Sequence, residues 1–312
     1  MLILSSYEDS ARHNSKNICR GYKMIKLILK LLTSKALLKV VLPLLAIFLV
    51  IRLVNIWAGL GLVLVILVYL TYNNRAKVFS WIGNINYYKG NTEAARVWYN
   101  RAYNSKNPNP RTMITYGYLE LKMANIDKAE MICKSVLESN ISEDDKMFTR
   151  SNLALVMWKR GDIDDAIKEL EEIIQTYKTT VIYGSLGYLL IEKGDLKRAL
   201  ELNLEAYEYN NKNLIIMDNL GQTYYLLGEY DKAKEIHDKL IPENPSFAEA
   251  WYNYGRILRQ TDGPEKALEA VKKAKDYKLS FLSTVTDEQI EREIKELEEE
   301  CQKKSSEGGT VT

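Results

Sequence analysis

A small residue followed twelve positions later by alanine recurs at a near-constant interval in six places: Gly83 and Ala95, Gly117 and Ala129, Ala154 and Ala166, Gly187 and Ala199, Gly221 and Ala233, Gly255 and Ala267. Successive first members lie 34, 37, 33, 34 and 34 residues apart. Glycine inside a helix costs about 1 kcal/mol relative to alanine, so its return at a fixed interval needs a compensating gain. Close crossing of two helices supplies that gain. Bulky apolar residues a turn away on either side continue an apolar stripe, and the second helix carries its own at i, i+3, i+4 and i+7. Each unit therefore reads as a helical hairpin, and six in tandem as a stacked array whose neighbours bury each other's faces.

Punctuation agrees with this register. Gly90-Asn91, Gly161-Asp162, Gly194-Asp195 and Gly228-Glu229 fall between the two helices of a unit, where glycine supplies a left-handed stop and Asn or Asp is expected to cap the next helix. Asp262-Gly263-Pro264 does the same with proline at the first helical position. Asn107-Pro108-Asn109-Pro110 and Asn244-Pro245 break the chain between units, and extra residues around Ser142 to Asp145 account for the longest spacing.

The pattern resembles the tetratricopeptide repeat, W-x2-L-G-x2-Y, then A-x3-F, then P. The sixth copy reads Trp251, Tyr254, Gly255, Leu258, then Ala267, Val271 and Ala274; the fifth reads Leu220, Gly221, Tyr224, then Ala233, His237 and Pro245; the first reads Phe79, Ile82, Gly83, then Ala95, Tyr99 and Ala102. Glu120, Arg150 and Asn203 depart from the aromatic or bulky residues usual at their places. The resemblance covers about two thirds of the chain. It implies an all-α, right-handed superhelical solenoid of six hairpins over residues 75–283, with repeats near 76–108, 110–140, 147–178, 180–212, 214–246 and 248–281. Stacking leaves an end face bare. A capping helix is expected over 284–304, opened by the Thr286 and Gln289 capping box and striped by Ile290, Ile294, Leu297 and Cys301. Two heptads are too few to favour a coiled-coil partner for that helix. Residues 305–312 read as a disordered tail.

The N-terminal part has a different composition. Residues 1–78 hold eleven Lys or Arg against Glu8 and Asp9, a charge of +9 in a chain of net +2, which leaves −7 beyond them. From Ala36 to Tyr72 the sequence is apolar apart from Lys39, Arg52 and Asn55. As one helix it would measure about 55 Å, against about 30 Å of hydrocarbon, so the polar pair is read as the turn of a transmembrane hairpin, 36–51 and 56–72. Gly59 and Gly61 would let its helices approach. The basic flank from Met24 suits anionic headgroups, so residues 24–74 are expected to engage a lipid bilayer, with 1–23 disordered. The positive flank and a two-span hairpin place the array on the cytoplasmic side, in a bacterial cytoplasmic membrane; if only 56–72 spans, the array moves to the other face.

An acidic soluble part argues against nucleic acid. The chain contains no phosphate loop, dinucleotide fingerprint, H-E-x-x-H or G-x-S-x-G. Cys19, Cys133 and Cys301 lie far apart with no CxxC pair, and His237 sits at a helix-packing position. No catalytic site, metal, cofactor or small-molecule substrate is therefore expected. Some bacterial membrane-anchored proteins of this family end in a cysteine metal knuckle, which the missing CxxC pairs do not support here.

What the resemblance implies is a protein-interaction scaffold, membrane-anchored, that binds a peptide or protein partner in the concave groove lined by first helices. Positions two before, one after and four after the small residue, and those slightly nearer the start, should face it. They are Trp81, Asn84 and Tyr87; Tyr118; Asn152, Leu155 and Trp158; Tyr188; Asn219, Gln222 and Tyr225; and Tyr252, Asn253 and Arg256. Aromatic rings with polar tips and Asn amides suit an extended segment, whereas few of these positions carry the Lys and Arg of an acidic-tail clamp. Two rival readings are a structural subunit that assembles a membrane complex mainly through its hairpin, and an unrecognised enzyme.

Overall fold

A computed structural model describes residues 42–308. Residues 1–23, the basic flank before Leu42, the start of the first apolar half and residues 309–312 lie outside the described residues. Fifteen α-helices and no strand are found among the described residues. The chain divides into two compact units, Met1–Val78 and Phe79–Thr312.

In the first unit, α1 (Leu42–Leu53) and α2 (Ile56–Asn73) form a hairpin. Asn55 makes the turn, its Oδ1 accepting from the Ala58 amide at 2.8 Å. A Cβ on Gly59 would lie 2.2 Å from Ile51 Cγ1, so this glycine is where the helices meet, while Gly61 faces open space. α2 is long and apolar enough to cross a membrane and is almost wholly exposed.

The second unit repeats one motif. Its first helices are α3 (Arg75–Tyr88), α5 (Pro110–Lys122), α7 (Glu143–Arg160), α9 (Thr180–Lys193), α11 (Leu214–Leu226) and α13 (Ala248–Thr261). Their partners are α4 (Thr92–Tyr103), α6 (Ile126–Leu137), α8 (Ile163–Ile174), α10 (Leu196–Tyr209), α12 (Tyr230–Leu240) and α14 (Pro264–Ala274). The six alanines of the second helices are all buried. Opposite them the glycines leave room for one side chain each: a Cβ would meet Tyr99 at Gly83, Asn203 at Gly187, His237 at Gly221 and Val271 at Gly255, each at 2.5 Å or less.

The stops differ in detail from the sequence reading. Except at Gly263, where the glycine's own amide donates to the Leu258 carbonyl, each left-handed residue at these stops is followed by one whose amide reaches back into the preceding turn, as Asp195 N does to the Leu190 carbonyl and Glu229 N to that of Tyr224, a closure that satisfies the last carbonyls of the first helix. In the second repeat Ala124, φ +63°, takes the glycine's place. Of the three Asn and Asp residues expected to cap the second helices, Asp195 alone uses its side chain, accepting from Arg198 N; Asn91 and Asp162 make no side-chain cap, nor does Glu229. Their backbone carbonyls accept from Ala95, Ala166 and Ala233, as that of Asp195 does from Ala199.

The final helix α15 (Asp287–Gly308) covers the last hairpin, with Ile290 and Leu297 buried against α13 and α14. Thr286 N donates to Gln289 Oε1 at 2.8 Å and Gln289 N to Thr286 Oγ1 at 3.2 Å, the reciprocal pair of a capping box. Ser305 to Gly308, expected in the tail, instead continue α15, with Ser305 Oγ bonded to the Cys301 carbonyl.

Candidate partner-binding groove

Successive first helices touch one another from α5 to α13, so their outward sides form one continuous inner face. Two cavities open there. One of about 670 Å³ lies over α3, α5 and α7, against Asn84, Tyr87, Ile114, Phe148 and Asn152. The other, about 400 Å³, lies over α5 to α11, against Trp158, Tyr188, Ile215 and Phe247. Tyr118, Leu155, Val181 and Ser185 border both, making one groove of them. Its floor is aliphatic and its walls are aromatic rings with polar tips, a surface that binds apolar side chains and orients them with a few hydrogen bonds.

The residues selected from sequence divide into three groups. Asn84, Tyr87, Tyr118, Leu155, Trp158 and Tyr188 line the groove. Burial pushes the Tyr118 hydroxyl up to about 12. Trp81, Gln222, Tyr225, Tyr252, Asn253 and Arg256 line neither cavity; instead the Arg256 guanidinium stacks over Tyr225 at 4.5 Å and Tyr252 at 5.6 Å. The third group corrects an expectation. Asn152 and Asn219 border the groove but are buried, and their amides are already used: Asn152 Nδ2 donates to the Ile114 carbonyl at 3.2 Å and Asn219 Nδ2 to that of Gly184 at 2.9 Å. Asn253 follows the same pattern through Asp218 Oδ1 at 3.1 Å. An Asn two places before the small residue points at the first helix of the preceding repeat, so these side chains clamp repeats together and are not free for a peptide.

Sequence reasoning missed the segment between the last hairpin and the cap. From Tyr277 to Thr286 the chain leaves α14, reaches across the inner face and returns. Phe281 N donates to the Lys122 carbonyl at 3.1 Å, and Phe281 and Leu282 pack with Leu121, Leu155 and Trp158. Tyr188 Oη donates to Thr284 Oγ1 at 2.8 Å and lies 3.3 Å from the Leu282 carbonyl. Lys159 Nζ sits 3.9 Å from the Trp158 ring centre and 5.0 Å from that of Phe281. Burial here lowers the Lys159 ammonium pKa and raises the Glu192 carboxyl, the latter in spite of a hydrogen bond from Thr284. The one available signal was composition: no charge from Leu279 to Thr286 and four apolar residues, Leu279, Phe281, Leu282 and Val285, unlike a solvated linker.

Other polar clusters are engaged in packing. Glu120 is wholly buried, with Lys128 Nζ at 2.9 Å, Arg96 Nε at 3.1 Å from both oxygens and Asn125 Nδ2 at 2.7 Å. His237, also fully buried, has Nε2 at 3.2 Å from Asp218 Oδ1 and Nδ1 at 3.2 Å from the Ala233 carbonyl. Glu120 and His237 line neither cavity, whereas Asp218, the partner of His237, borders the second.

Tetratricopeptide repeat family descriptions match residues 151–180, 190–252 and 248–280. The chain is a tetratricopeptide repeat protein. Among its relatives, a TPR repeat-containing protein of Methanocaldococcus jannaschii is 27% identical over 169 residues, covering 53% of this chain and 29% of that protein. The BBSome complex member BBS4 of Bos taurus is 30% identical over 112 residues, 36% of this chain and 21% of its own length. The chain thus spans less than a third of either relative. In fold, a tetratricopeptide repeat protein from Parabacteroides merdae superposes with a TM-score of 0.56 over 71% of this chain and 84% of its own, at 16% identity. Proteins of this repeat family act in protein–protein interaction.

Proposed function

We propose that this tetratricopeptide repeat protein is a membrane-anchored scaffold that captures an extended segment of a protein partner in the groove of its first helices, without catalysis. One observation carries the reading: the groove is continuous, with Tyr87, Phe148, Trp158 and Tyr188 walling an apolar strip of Leu155, Val181 and Ile215, while Glu120 and His237 are paired inside the array. A relative named as a complex member supports a protein partner. The anchor rests on α2, whose apolar surface is left uncovered among the described residues. The bilayer contact runs through residues 24–74, and the basic flank puts the array on the cytoplasmic side.

The test is photocrosslinking in cells, with benzoylphenylalanine at Tyr87 in the groove or at Met131, which is exposed on α6. Adducts to a discrete protein should form from position 87 and not from 131; adducts from 131 alone would move the capture surface to the second helices. Orientation is checked by protease on right-side-out spheroplasts, where the array should survive intact. The exposed hairpin favours one other reading, assembly of a membrane complex through α1 and α2 themselves. In that case crosslinks should arise from Leu60 or Leu64 of α2, both exposed, and none from the groove.

A further inference from the structure

The segment that crosses the inner face behaves as a ligand does. Its tip is a turn, closed by Ser283 N on the Ser280 carbonyl at 3.0 Å, and Phe281 N bonds the carbonyl of Lys122, the last residue of α5 and one that a helix end leaves free. Two adjacent side chains, Phe281 and Leu282, insert between first helices that belong to earlier repeats. The tip is tethered on both sides, because Leu279 and Val285 belong to the apolar core of α13, α14 and α15. Phe281 and Leu282 are only half-buried. Beside them the groove continues unfilled past Val181, Ile215 and Phe247, so a longer segment would bury more surface than the tip does.

Building on the groove reading above, we propose that the floor over α5, α7 and α9 is a site for a segment presenting, in a turn, an aromatic residue followed by an aliphatic one, with a hydroxyl-bearing residue two places further on. The chain's own Phe281-Leu282-Ser283-Thr284 holds this site in cis until such a segment of the partner replaces it. The chemistry of the site matches this composition. Leu121 and Leu155 take the apolar pair, the Lys159 ammonium meets the aromatic face, and Tyr188 Oη recognises a hydroxyl together with the backbone carbonyl two residues before it. A tethered tip competes at an effective concentration of roughly millimolar order. It therefore screens out weak segments while yielding to one that also fills the rest of the groove.

The probe is a synthetic peptide of residues 277–286 carrying a fluorophore, titrated by fluorescence polarisation onto the full chain in detergent micelles. Wild type should bind it weakly. Phe281→Ala/Leu282→Ala, which empties the groove, should bind it about ten-fold more tightly because the cis competitor is gone. Adding Trp158→Ala to that variant should reverse the gain. Equal affinity for wild type and the emptied variant would overturn the proposal. Hydrogen exchange on wild type needs no variant: with millimolar peptide the Phe281 amide should lose protection, and unchanged protection would reject displacement even if the double variant fails to fold. The two readings fail separately. Peptide binding to the emptied groove without crosslinks from position 87 would retire the partner reading and leave the cis contact standing. Crosslinks from position 87 with the Phe281 amide still protected would retire the cis contact alone.

Discussion

At position 120 the repeat pattern calls for an aromatic ring, and the chain supplies a carboxylate that is wholly buried. A charge there is tolerable only because Arg96, Lys128 and Asn125 all converge on it. Burial pushes its pKa up, but hydrogen bonds from Lys128, Tyr116 and Arg96 outweigh that and hold it below 4.5. A carboxyl lowered in the folded state stabilises in full above its ordinary range and loses that contribution as pH falls through the lowered value. Glu120→Gln should therefore melt well below wild type at pH 7, and the gap should narrow steadily on acidification below pH 4.5; a gap that stays constant to pH 3 would contradict the assignment. A second residue-level case is Gly221. A Cβ there would lie 2.3 Å from His237 Nδ1, and that ring is pinned by Ala233 and Asp218. Gly221→Ala should cost about 1–3 kcal/mol by overpacking. Gly184→Ala, whose nearest neighbour is Ile215 Cγ2 at 3.3 Å, should be close to neutral in the same urea titration.

Among elements, α15 depends most on charge. Arg259 of α13 reaches Glu293 at 2.8 Å, Glu296 at 3.1 Å and Glu300, while Lys272 and Lys275 of α14 and the turn after it reach Glu298 and Glu291. Arg259 is the least exposed of these cations, so one side chain joins three turns of the cap to the last hairpin. Arg259→Ala should lower stability by about 1 kcal/mol, lessened by salt, and should raise exchange in α15 before the rest of the array. Lys272→Ala, a single half-exposed pair, should change little. The cap and the crossing segment are consecutive, so loosening α15 should also loosen Phe281 from Lys122. Equal exchange rates across α15 in wild type and Arg259→Ala would separate the two.

At the scale of the whole molecule two kinds of surface meet two kinds of solvent. The array buries its apolar stripes between repeats, whereas α2 leaves Leu60, Leu64, Leu67 and Val68 exposed on an apolar helix. An apolar face of this length is stable only against lipid or protein. The full chain should therefore remain in the membrane pellet after alkaline carbonate extraction, and deletion of residues 36–72 should release it to the supernatant. Release of the full chain would show that protein contacts, not lipid, cover α2.

The chain alone determined the all-helical repeat fold, because each hairpin is specified within about 34 residues by local rules: a small residue at the crossing, an apolar stripe of helical period and a left-handed stop. The same register located Tyr87, Tyr118, Leu155, Trp158 and Tyr188 on the groove. It could not assign Asn152, Asn219 and Asn253, since whether an amide points into the groove or at the neighbouring repeat depends on how closely successive first helices pack. Nor could it foresee that Ala124 adopts a glycine's backbone or that Glu120 would gather two cations. Least legible was the seat of Phe281 beside Lys122. These residues belong to opposite parts of the array and meet only because small rotations accumulate from repeat to repeat and bring the inner face around, a geometry that no single repeat encodes.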